Sequence, residues 1–129
     1  MKSIIRIALA AFVLIIFSCS KSDNNSGGGT HTCNFGLPVI SASANGSVKY
    51  EVKLSGTGQV TQIVLKSNGA DSAINSPTLP FQVTLPVNSG AAIGLSVKGS
   101  TSVGTIEIEY SFTPTGSGSL IKNEDECGN

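Results

Sequence analysis

Apolar and polar residues alternate with a period of two along much of the chain beyond Cys33. In "GSVKYEVKLS", Val48, Tyr50, Val52 and Leu54 share one face, while Lys49, Glu51 and Lys53 share the other. "LPFQVTLP" sets Leu79, Phe81, Val83 and Leu85 against Gln82 and Thr84. "AAIGLSVKG" aligns Ile93, Leu95 and Val97; "GTIEIEYSF" places Ile106, Ile108, Tyr110 and Phe112 inward and Glu107 and Glu109 outward. Successive side chains of a strand point to opposite faces, so these runs predict half-buried strands. "QVTQIVLKS" reads as a further strand, apolar on both faces around Ile63, Val64 and Leu65. No stretch of this region has the apolar spacing of an amphipathic helix.

The runs are separated by "NGS", "SGTG", "SNGAD", "NSGAA", "KGSTSVG" and "PTGSGS", whose residues accept positive φ or tight turns. A first strand near 37–42 and a short last one near 119–122 bring the count to about seven. Short strands at such spacing predict an all-β fold, an immunoglobulin-like antiparallel β-sandwich. The prolines fall at the edges of runs. Pro80 sits inside one, which predicts an edge strand or a strand beginning at Phe81.

The first residues differ in kind. Lys2 and Arg6 precede an unbroken apolar run from Ile7 to Phe17, the layout of an export signal. The run is shorter than the ~20 residues a spanning helix needs. "IFSC" resembles a bacterial lipobox, with Phe17 bulkier than the usual occupant of its position. The resemblance implies that Cys19 becomes the lipidated first residue of the mature chain, carrying diacylglycerol through a thioether and further acylation, such as palmitate, on its amine. One acyl chain holds a protein weakly, whereas two or three anchor it stably. "SKSDNNSGGGTHT" is poor in apolar residues and predicts a flexible tether. "SCSKSDNN" resembles lipoproteins of the Bacteroidota, in which an acidic stretch behind the cysteine can mark export to the cell surface. Here that stretch is reduced to Asp23, followed by Asn24 and Asn25. Outer-membrane anchorage facing the periplasm or the cell surface is therefore left open. The expected organisation is a signal peptide over 1–18, a lipidated tether over 19–32 and a β domain over 33–129.

Of the 3 cysteines, two remain. Cys33 opens the folded region and Cys127 nearly closes it. Outside the cytoplasm such a pair favours a disulfide. The alternatives are two free buried thiols, or a metal site with His31; a His and a Cys two residues apart do not by themselves make a zinc site. With the disulfide formed, His31 is expected to be a solvated linker residue.

"VKYEVKLSGTGQVTQIVLKSNG", "LPFQVTLP" and "GTIEIEYSFTPTG" before a terminal cysteine resemble the MmpS-like family of transport accessory proteins. Tyr50, Glu51, Val52, Leu79, Pro80, Phe81 and Ile108 occupy comparable places; Phe81 stands where the family usually has Trp. The resemblance implies a small extracytoplasmic β-sandwich that assists an exporter, without cofactor or catalytic residues.

Chemistry narrows the classes further. The chain has 1 histidine, placed in the tether, and no arginine after Arg6. No Ser–His–Asp arrangement and no arginine fork can be drawn. Without Lys2 and Arg6, six lysines face eight acids, a net charge near −2. No basic footprint for nucleic acid results. Glu107 and Glu109 lie ~6–7 Å apart on one strand face. They could begin a glycosidase or calcium site, but a solvated face balanced by Lys49 and Lys53 is the simpler expectation. "NEDEC" lacks the spaced ligands and glycine of a calcium loop and reads as a solubilising acidic tail. The expectation is a non-enzymatic binding or transport-accessory module. Its membrane contact is through Cys19, its partner an envelope protein or transporter, and it has no metal and no cofactor. The second expectation is a structural or adhesive surface lipoprotein, one that binds glycans among others.

Overall fold

The computed structural model describes residues 29–128. The expected signal segment, Cys19 and most of the expected tether lie outside the described residues. The fold is all-β, with β1 (His31–Gly36), β2 (Ile40–Ser41), β3 (Gly46–Ser67), β4 (Ala70–Asn75), β5 (Phe81–Val87), β6 (Ala92–Pro114) and β7 (Ile121–Gly128). Every pairing is antiparallel.

Two strands dominate. β3 has 22 residues and β6 has 23, and they pair from Gly46 opposite Pro114 to Lys66 opposite Gly94. A straight strand of that length would run about 70 Å, too far for a domain of this size to cover. The pair bends instead. β5 and β7 flank the first half of β3 and the second half of β6. β4 and β1 flank the other halves, with β2 further along the same edge of β6. Residues of both halves contribute to one buried apolar cluster. The Tyr50 hydroxyl donates to the Lys66 carbonyl, 16 residues along the same strand, at 2.5 Å.

The bend is written in glycine. The β3–β6 register slips at Thr57/Gly58 and at Val60/Gln62, as at β-bulges, where the local twist increases. Gly56 and Gly104 face each other there with φ of +82° and +103°. A Cβ on Gly104 would stand 2.0 Å from the Ser55 carbonyl oxygen, so the strands can cross this corner only without side chains.

The expected alternation is present. Val48, Tyr50, Val52, Ile106, Ile108, Tyr110 and Phe112 are all buried. The partition into strands differs from expectation. "GSVKYEVKLS" and "QVTQIVLKS" are two halves of β3, and "AAIGLSVKG" and "GTIEIEYSF" are two halves of β6. "SGTG" and "KGSTSVG" are bends inside paired strands, because each finds its partner in the other. β4 follows a turn in which Asn68 and Gly69 both have positive φ, the requirement of a type I′ hairpin. The chain joins the sheet at His31, not Cys33, and the expected strand over 37–42 shrinks to Ile40–Ser41. β7 runs through "NEDEC", so that stretch is an edge strand and not a loose tail; β6 provides its ladder. β5 begins at Phe81, after a cis Leu79–Pro80 bond, and is an edge strand.

The two buried tyrosines join the layers. Their rings meet edge-on, with centroids 6.5 Å apart. Tyr110 donates to the Pro38 carbonyl at 2.7 Å and accepts from Asn123 Nδ2 at 2.8 Å. Burial first, and the neighbouring Tyr110 second, push the Tyr50 phenol up to about 12; burial also raises Tyr110. An unfolded tyrosine loses its proton near pH 10. Between the two values the folded chain holds a proton that the unfolded chain has lost. This contribution is complete below pH 10 and is lost as pH rises towards 12. Stability should therefore fall by up to about 1.4 kcal/mol per pH unit in that window on account of Tyr50. Urea unfolding followed across the window checks this: Tyr50→Phe should flatten the decline, and an unchanged slope in that variant would contradict it.

Candidate functional site

The outer face of the β5–β3–β6–β7 half carries most of the charge. Pairing aligns Glu51, Glu109 and Glu124 in one row and Lys53, Glu107 and Glu126 in the next. They line an open groove of about 520 Å³. Glu51 is clamped by Lys53 at 2.8 Å and Lys49 at 3.1 Å. Lys122 bridges Glu124 at 2.8 Å and Glu109 at 3.2 Å. Three lysines thus face five carboxylates, and the expected balance of Glu107 and Glu109 by Lys49 and Lys53 is not what forms: both of those lysines turn to Glu51, and Glu109 is served from β7. Hydrogen bonds from Lys53 and then Lys49 hold the Glu51 carboxyl below its ordinary range, and Lys122 does the same for Glu124. A glycosidase acid needs a carboxyl shifted the other way. Among the described residues, no three carboxylates of this face gather closely enough to share an ion.

Sequence reasoning singled out Glu107 and Glu109 but missed Glu51 and Glu124, which complete the row. Their alignment depends on register between strands distant in sequence, which has no local signal.

Cys33 and Cys127 form a disulfide, with Cα atoms 5.9 Å apart across 94 residues of chain. β1 and β7 are edges of opposite halves, so the bond closes the open side between them. His31, on β1, is exposed, and its ring reaches the same corner. It is a strand residue, opposite Thr101, where a linker residue was expected.

The ends of the domain differ. His31 pairs beside the bend at Thr101, and Gly128 pairs beside it at Thr105. The outer ends of β1 and β7 therefore both lie at the bend. Residues 42–45, 68–69, 88–91 and 115–120 all gather at the opposite end. Two asparagine side chains, those of Asn45 and Asn68, stitch these loops together, because a carboxamide can replace backbone partners as both donor and acceptor. The Asn45 side chain accepts from Ser89 N, and that of Asn68 accepts from Asn88 N, each at 2.8 Å. Asn68 Nδ2 donates to the Pro86 carbonyl at 2.9 Å, and Thr115 N donates to the Asn45 carbonyl at 2.7 Å. Leu120, 59 % exposed, stands on this loop pole; Val103, 66 % exposed, stands at the bend.

Of the residues that carry the accessory-family resemblance, Tyr50, Val52 and Ile108 are buried in the core. Leu79 and Phe81 pack against it, and Glu51 belongs to the charged face. They do not converge on one site. No protein-family model, no curated protein and no solved structure matches the chain.

Proposed function

We propose that this chain is an exported, lipid-anchored, non-enzymatic module at the outer membrane that presents its loop pole to an envelope protein or transporter. The observation that carries this reading is the polarity of the domain: β1 begins and β7 ends at the bend, and the asparagine-stitched loops lie at the far end. With Cys19 lipidated, about a dozen residues would link the anchor to the bend. The loop pole would then stand a further ~35 Å out, the rise of half of β3. Loops on a rigid sheet are a common place for recognition.

Two measurements test it. Cys19→Ser should release the protein from the membrane fraction and abolish its lipid labelling; unchanged retention would refute the anchor. Affinity capture from native membranes should recover a transporter or other envelope protein reproducibly. Leu120→Arg, at the loop pole, should reduce that recovery, whereas Val103→Arg, at the bend, should leave it intact. Equal recovery from both variants would remove the loop pole from the reading.

A further inference from the structure

Among the described residues, one cluster of potential ligands is tight enough to share an ion. The ligating atoms of His31, Cys33 and Cys127 all lie within 4.8 Å of one another. The fold builds this cluster from two edges. His31 and Cys33 are two apart on β1, hence on the same face of the strand, and pairing with Thr101 and Gly99 fixes both. Cys127 arrives from β7, held opposite Ile106. Exposure grades across the group: Cys33 is buried at 1 %, Cys127 is half-buried and His31 is exposed. An ion could therefore enter from the His31 side and meet sulfur beneath it.

We propose that reduction of the Cys33–Cys127 bond converts this corner into a Cys₂His site for a thiophilic cation, zinc(II) or copper(I). A dithiol supplies the reduction. Its two sulfurs become a disulfide, the protein's S–S bond breaks, and two protons pass to Cys33 and Cys127. Cation binding then releases both protons to water as the thiols become thiolates. Tetrahedral zinc with Zn–S bonds of ~2.3 Å sets two sulfurs ~3.8 Å apart. The sulfurs need separate by less than ~2 Å from the bonded state to reach that spacing. Three protein ligands leave the fourth position to water, so the ion would be exchangeable. Oxidation and metal loading exclude each other, because the same two sulfurs serve both.

The test uses the full chain carrying Cys19→Ser, so that Cys33 and Cys127 are its only thiols. The protein is reduced with a phosphine and desalted under argon. It is then titrated with cobalt(II), whose thiolate charge-transfer absorption reports sulfur ligation, and with zinc(II) while thermal unfolding is followed. The reduced chain should bind one cobalt with thiolate absorption. Zinc should raise its unfolding midpoint, or restore the folded state if reduction alone unfolds it. The oxidised chain should do neither. Losing an outer-shell partner weakens metal sites by about 10–100-fold, so loss of a direct ligand in His31→Ala should weaken binding at least about tenfold. Absent thiolate absorption, absent stabilisation by zinc, or equal affinity in His31→Ala would each overturn the proposal.

Discussion

Gly104→Ala should destabilise the domain by about 3 kcal/mol or more, whereas Gly69→Ala should cost about 1 kcal/mol. Both residues have positive φ, of +103° and +78°, so conformational preference penalises alanine at both. Their surroundings differ. Gly69 caps the β3–β4 hairpin with nothing within 4 Å of an added Cβ. Gly104 lies at the bend, where the same atom would meet the Ser55 oxygen at 2.0 Å and the Gly56 Cα at 2.9 Å. Both obstacles are backbone of the partner strand and cannot rotate away. Relief requires the two long strands to separate where one half of the sheet turns onto the other. A domain of this size has a total stability of about 5–15 kcal/mol, so the change at Gly104 removes a large share of it. Urea midpoints of the two variants at unchanged slope provide the comparison. Equal and small losses at both positions would show that the corner is not as tightly closed as described.

The corner also explains what could and could not be read from the chain. The alternation of Val48, Tyr50 and Val52, and of Ile106, Ile108, Tyr110 and Phe112, depends on each residue's own face, and a period of two reports that directly. Continuity of a strand through "SGTG" or "KGSTSVG" depends on a partner some 45 residues away. Glycine and serine are suited equally to a turn that ends a strand and to a bulge that bends one. β4 was concealed because it is an exposed edge strand whose one large apolar residue is Ile74; the preceding Asn68–Gly69 pair was its signal. β7 was expected only as far as 122, because three consecutive acids concealed its continuation to Gly128. Its signal was Ile121, Asn123 and Cys127 at odd positions, against Lys122, Glu124 and Glu126 at even ones. The disulfide was legible because pairing two cysteines needs only their count and the expected compartment. The nearness of His31 to Cys33 was offered by "HTC", but the arrival of Cys127 beside both was not, since it rests on β1 and β7 meeting. The loop pole was likewise out of reach, because which loops share an end follows from the bend itself.

Replacing both Cys33 and Cys127 by alanine should reduce stability by about 2–5 kcal/mol. The bond encloses 94 residues, and closure of a loop near 100 residues contributes ~4.7 kcal/mol in the chain-entropy treatment. Alanine is the suitable replacement because Cys33 is buried, and a serine hydroxyl there would add the separate cost of an unpaired polar group. The loss should also be localised. β1 and β7 each pair with β6 and not with one another, so the disulfide is the covalent tie across the gap between them. Without it, amide protons of His31–Gly36 and Ile121–Gly128 should exchange faster. Those of the β3–β6 ladder should follow the global stability. Reducing the native protein should lower its urea midpoint to near that of the double variant, and the variant itself should not respond to reductant. A native midpoint indifferent to reduction would show that the ladders alone hold both edges. Protection lost evenly across the sheet would show instead that the bond secures the whole fold and not the gap between its halves.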